Sequence, residues 1–253
     1  MNKTWISFCV LSVVLLCVSL VSADESLPKV VFDQGHNQQF LIGEKGELQL
    51  SGLADIIRGK GGEVVATTGA LNDNTLLDAT ALVISGPFTQ LQAEEVEAVA
   101  RFVERGGHLA VMLHIGQPLA GLLERLDIDH SNAVLHERSN VIDKDINFRV
   151  VELTPHQLFS GIDGFSIYGG WALKAGREGA AIALTSAGSW VDLDGNRVLT
   201  KGDALGPFEV VIAGSFGSGN FVVFGDDAIF QNRYLDQDNG KLAANLAEQL
   251  IGR

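Results

Sequence analysis

Ala81-Leu82-Val83-Ile84-Ser85-Gly86-Pro87, followed by Gln92-Ala-Glu-Glu-Val-Glu-Ala-Val-Ala-Arg-Phe-Val-Glu-Arg-Gly-Gly-His-Leu-Ala-Val-Met-Leu113, decides the fold class. The first run is continuously apolar and is stopped by Gly86-Pro87. It reads as a buried strand. Over 92–105, Val96, Val99, Ala100 and Val103 repeat at helical spacing, and Glu94, Glu95 and Glu97 near the start suit the helix dipole. Gly106-Gly107 ends that helix, and 108–113 is apolar again. A buried strand, an amphipathic helix and a second buried strand make the repeating unit of a parallel sheet covered on both faces.

The same alternation extends toward the N-terminus. Lys29-Val30-Val31-Phe32 is a short apolar run that opens into Asp33-Gln34-Gly35-His36-Asn37. Leu50, Leu53, Ala54 and Ile57 mark a helical face within 48–58, which ends at Gly59, Gly61 and Gly62. Residues 63–67 read as a second strand, and a further helix is expected near 118–126.

The middle is different. From about 127 to 206 the chain has short strand-like pieces and many glycines. Two hairpins are expected. One joins 189–193 to 197–199 through Asp194-Gly195-Asn196, and the other joins 208–213 to 220–224 through Gly217-Ser218-Gly219. Leu242, Ala243, Leu246 and Leu250 form the apolar face of a closing helix. The expectation is therefore an α/β fold, a doubly wound and mostly parallel, flavodoxin-like sheet with β-hairpin additions in the C-terminal half. Residues 24–253 form one domain, with a β-rich insertion around 127–206.

The first 23 residues read as an export signal. Lys3 gives the positive start, 5–21 an apolar run, and Val21-Ser22-Ala23 a small-residue cleavage site before Asp24-Glu25. The alternatives are a retained anchor and a lipoprotein. The apolar run of about 17 residues is at the short limit for a span. Cys17 follows Leu15-Leu16 rather than a small residue. Cleavage is the expected outcome, and it places the mature chain in the periplasm or outside the cell. Both cysteines, Cys9 and Cys17, would leave with the signal, so the mature chain would have no disulfide, thiolate metal site or cysteine nucleophile.

The chain has a formal net charge of −13, and all 31 of its acidic residues lie after position 23. Such a surface repels phosphate backbones, which argues against nucleic-acid binding. A hydrophobic content of 46% argues against disorder.

Several segments together resemble the class I glutamine-amidotransferase-like superfamily, of flavodoxin-like fold. They are 31–37, 81–87, the unit 94–112, 154–162, 206–208 and 224–235 with 238–239. The resemblance is to an exported, uncharacterised branch of that superfamily, similar to its trehalose-utilisation-type and gliding-motility-type domains. Catalytic members carry a cysteine in a Gly-x-Cys-x-Gly elbow. Here the matching segment is Met112-Leu113-His114-Ile115-Gly116, with His114 at the nucleophile's place. The resemblance thus implies the fold without glutamine hydrolysis.

In a doubly wound sheet, ligands bind beyond the carboxyl ends of the strands. The ligand-binding candidates are accordingly Asp33, Gln34, His36, Asn37, Gly86, His114, Asp226, Asp227 and Arg233. His114, His36 and Asp226 are the candidates for acid–base chemistry, and with Asp33 they could also hold a divalent metal. No cofactor is expected beyond that metal. The plainer reading is that Asp33 and Asp226 cap loops and that His36 is a turn residue. Two functions follow. One is a non-catalytic binding or interaction module of the cell envelope, for a small molecule or an envelope protein and with no stable membrane span. The other is a metal-assisted hydrolase or sugar-processing enzyme using the strand-end His and Asp residues.

Overall fold

The computed structural model describes residues 27–253. The expected export signal, with Cys9 and Cys17, lies outside the described residues. The chain runs through β1 (Lys29–Asp33), α1 (Ser51–Gly59), β2 (Glu63–Thr67), β3 (Ala81–Ser85), α2 (Ala93–Glu104), β4 (His108–Met112) and α3 (Ala120–Arg125). There follow β5 (Ile128–His136), β6 (Asn147–Val150), β7 (Glu152–Leu153), β8 (Phe165–Tyr168), β9 (Trp171–Ala175), β10 (Gly179–Leu184), β11 (Trp190–Val191) and β12 (Ala204–Leu205). The chain closes with β13 (Glu209–Phe216), β14 (Gly219–Phe224) and α4 (Gln237–Leu250).

Twelve strands form one mixed sheet, whose main path is β12-β11-β5-β9-β13-β14-β4-β3-β1-β2, with β10 and β7 branching from β13. β6 and β8 pair separately. Neighbours among β2, β1, β3, β4 and β14 are parallel. All the other pairings in the sheet are antiparallel.

This corrects the expectation of a doubly wound, mostly parallel, flavodoxin-like sheet. A parallel connection needs a crossover, usually a helix. Between α3 and α4 the described chain has no α-helix, so its strands return as antiparallel neighbours and the sheet becomes large and β-dominated.

Alternation along the parallel strands divides the core in two. Val30, Phe32, Val83, Ala110, Met112, Val222 and Phe224 face α1 and α4, represented by Leu53, Ile57, Leu242 and Leu246. Val31, Leu82, Ile84, Leu109, Val111 and Val223 face α2 and α3, represented by Val99, Val103, Leu122 and Leu123. Each such fully buried side chain contributes about 1.5–3 kcal/mol of transfer free energy.

The hairpin at 217–219 forms, with Val211 opposite Phe224 and Phe216 opposite Gly219. The other expected hairpin does not. Trp190 pairs with Leu205 and Val191 with Ala204, so Asp194-Gly195-Asn196 sits inside a longer loop. The reason is local. Asp192 accepts the N–H groups of Gly195, Asn196 and Arg197, which turns the backbone away from ladder pairing.

Candidate functional site

The carboxyl ends of β1, β3, β4 and β14 carry the polar loops, and two ionic clusters form there. In the first, His36 is held between carboxylates. Its Nδ1 donates to Asp33 at 2.8 Å, and both oxygens of Glu95 lie 3.1 Å from Nε2. All three residues are buried. Two carboxylate acceptors call for a proton on each ring nitrogen, so the ring is an imidazolium. Burial opposes that charge, but Asp33 and Glu95 override it and push the His36 pKa up to about 9. Burial likewise opposes the Glu95 charge. The N–H groups of Gln92 and Leu71, together with His36, outweigh it and hold the carboxyl below its ordinary value. Gln38 completes the cluster, donating to Asp33 at 2.6 Å and accepting the His36 N–H at 2.8 Å.

The second cluster centres on His114, just after β4. Its Nδ1 lies 3.2 Å from Asp227, and the hydrogen bond and charge of Asp227 raise its pKa against the effect of burial. The ring packs against Phe40, at 5.1 Å between centroids, and Phe88, at 5.2 Å. The Trp171 indole N–H donates to the His114 carbonyl at 2.9 Å. The His114 side chain is 38% exposed, whereas that of Asp227 is 1% exposed. Among the described residues Nδ1 is the ring nitrogen with a partner, which leaves Nε2 for an incoming group.

Asp226 and Asp227 lie beneath this ring. Burial, reinforced by the neighbouring Asp227 charge, pushes Asp226 up to about 7. Asp226 accepts the N–H of Tyr168 at 2.7 Å and of Ala228 at 2.9 Å. Burial also raises Asp227, against the pull of His114. Asp227 Oδ2 is buried without a hydrogen-bond partner. Gly86 explains how this oxygen fits. At φ +52°, a Cβ on Gly86 would come within 2.3 Å of Asp227 Oδ2 and 3.2 Å of His114 Cβ. Only glycine allows the β3 end to approach that closely.

The candidate residues therefore divide. Asp33 joins His36, and Asp226 and Asp227 join His114. The loops touch through Phe88 and Thr89, whose N–H groups donate to the His36 carbonyl at 2.9 and 3.0 Å. Gln34 is tied to β2 by its N–H to the Thr67 carbonyl. Asn37 turns the loop at φ 56°. Arg233 is exposed and pairs with Glu47 at 3.2 Å. Phe88 and Trp171 also join the clusters, and Glu95, Gln38 and Phe40 complete them without having been singled out as site residues in the sequence. Only Glu95 left a usable trace, the three-residue spacing to Gln92 that marks a helix start.

A separate acidic group could hold a metal ion. One ligand atom from each of Asp192, Asp194 and Asp203 lies within 4.8 Å of the others. These carboxylates are engaged by loop N–H groups, including Gly195, Asn196, Leu193 and Thr200. Among the described residues, no helix is long and apolar enough to cross a membrane.

Fold and site together define a mixed α/β sheet protein with buried ionic clusters beyond its parallel strands. The chain belongs to the family described as a domain of unknown function (DUF4350), whose model matches residues 44–247. Among solved structures it is similar to the N-terminal domain of mmIFT52, with 17% identity, TM-score 0.70, and 88% of this chain and 98% of that one covered. It is similar to cytoplasmic protein STM1381 from Salmonella typhimurium LT2, with 13% identity, TM-score 0.59, and coverage of 88% and 99%. A thua-like protein from Parabacteroides merdae gives 11% identity, TM-score 0.51, and coverage of 89% and 90%. No curated protein matches the chain. The family match and the mmIFT52 likeness correct the assignment to the flavodoxin-like amidotransferase superfamily. The thua-like likeness is a partial one, of fold alone.

Proposed function

We propose that this protein is an exported, non-catalytic binding module whose ligand meets His114 beyond the carboxyl ends of the parallel strands. One observation carries the reading. The carboxylates of both clusters are buried, with Asp227 Oδ2 the one oxygen among them left unpaired, while the imidazole of His114 is the ionisable group offered outward. That ring is fixed by Asp227 and flanked by Phe40 and Phe88. A fixed imidazole between aromatic rings suits a ligand that places an acceptor oxygen on Nε2 and a flat face on Phe88. Aromatic carboxylates are the simplest members of that class. Export rests on the signal-like residues 1–23, which would deliver the module to the periplasm or the cell exterior.

A turnover panel tests the reading against an enzyme. Purified protein is offered ester, amide, phosphate and glycoside substrates, with His114→Ala in parallel. The expected outcome is no turnover by either protein. Turnover that His114→Ala abolishes overturns the binding reading in favour of acid–base catalysis by the His114–Asp227 pair.

A further inference from the structure

A second cleft lies at the opposite end of the sheet from His114. Asn220 opens beside His108, the first residue of β4, whereas His114 follows the end of that strand. The cleft encloses about 320 Å³, and its lining includes His156, Gln157, Ala180, Ala213, Asn220 and Gln249. That volume is within the range of small-molecule sites. Among the described residues, no Asp, Glu, Lys or Arg lines it.

We propose that this cleft binds a small uncharged ligand bearing an amide N–H and hydroxyl groups, of the N-acetylated sugar class. Gln249 provides the main reason. The residue is buried on the last turn of α4, and its Oε1 has no hydrogen-bond partner. An orphaned buried amide oxygen is costly, and rotation of the Gln249 amide, which lines the cleft, would turn that oxygen outward to accept a ligand N–H. The remaining groups offer donors. His156 Nδ1 accepts the Leu158 N–H at 3.2 Å, so the neutral ring carries its proton on Nε2. Burial lowers the pKa of this histidine and keeps the ring neutral. Asn220 has its Oδ1 against His108 Nδ1 at 3.0 Å, which leaves its Nδ2 free to donate to a hydroxyl oxygen. Ala180 and Ala213 are cross-strand partners, and their paired methyls form a small apolar floor for an acetyl methyl. Absence of lining charge disfavours carboxylate or ammonium ligands, whose desolvation nothing here would repay.

Saturation-transfer NMR with N-acetylglucosamine tests this on the purified protein. Saturation is expected to reach the acetyl methyl. Glucosamine and glucuronate are expected to bind at least about tenfold more weakly. Gln249→Leu removes the acceptor and Ala180→Phe fills the floor from an exposed strand position, each with an expected loss of about tenfold or more. A thermal transition like that of the parent protein shows that each variant is folded. No transfer at about 20 mM sugar overturns the proposal, as does a folded variant of either kind that binds as well as the parent.

Discussion

Glu95 reaches His36 across 59 positions of sequence, and its two carboxylate oxygens sit equally far, 3.1 Å, from Nε2. The contact ties the start of α2 to the loop after β1. It is buried and ionic, so its two halves depend on each other. Removing one partner of such a pair leaves an uncompensated charge, which costs more than the pair itself contributes. Glu95→Ala is therefore expected to destabilise the protein by about 3–5 kcal/mol, read as a lowered urea midpoint.

Stability should also fall on the alkaline side. The folded-state pKa of His36 is about 9, above its ordinary 6.5. The unfolded chain loses that proton first. The contribution of His36 is thus complete below about pH 6.5 and disappears as pH rises through about 9. Urea unfolding at intervals from pH 6 to 9.5 should show a loss on the order of 3 kcal/mol. His36→Gln should be less stable near pH 6 and should flatten that slope. A wild-type profile with no decline over this range would contradict the imidazolium assignment.

Gly86→Ala is expected to damage the site as well as the fold. Its φ of +52° disfavours a side chain, and the new Cβ would collide with Asp227 Oδ2. A loss of about 1–3 kcal/mol is expected in thermal unfolding. A shifted His114 ring resonance in the folded variant would show that the collision reaches the histidine.

Glu137 makes the corresponding case in the antiparallel half. Fully buried, it accepts the N–H groups of Arg138, Ser139 and Ser186 and the hydroxyls of Ser186 and Ser189. Burial works against its charge, but these donors hold its carboxyl below the ordinary value. Its contribution is present above the ordinary carboxylate pKa and is lost as pH falls through the lower folded value. Glu137→Leu leaves these five donors without their acceptor and should cost about 3–5 kcal/mol at pH 7, and less in acid, by urea titration.

The sequence revealed those parts of the molecule whose cause is local. Val96, Val99, Ala100 and Val103 marked α2, and the apolar runs marked β1, β3 and β4, because burial on both faces leaves a continuous signature, whereas β2, at the sheet edge, is only partly buried. The 217–219 turn was legible for the same reason. Pairing across the sheet was not. Trp190 joins Leu205 because Asp192 and Asp203 close the loop between them, and nothing in the local pattern separates that from a tight hairpin at Gly195. The strand-end loops were found through Asp33, His36, His114, Gly86 and Asp226. Their partition into two clusters depends on Glu95 reaching His36 and on Asp227, itself one of the sequence candidates, reaching His114, and no spacing rule encodes either contact.

Binding at His114 without reaction can be observed directly. The ring protons of His114 can be followed by NMR while benzoate is added to the protein. The expected result is a saturable shift of the His114 resonances, absent from His114→Ala, with benzoate recovered unchanged. A His114 signal that stays fixed to saturating benzoate, or a shift that persists for the other histidines alone, would contradict it.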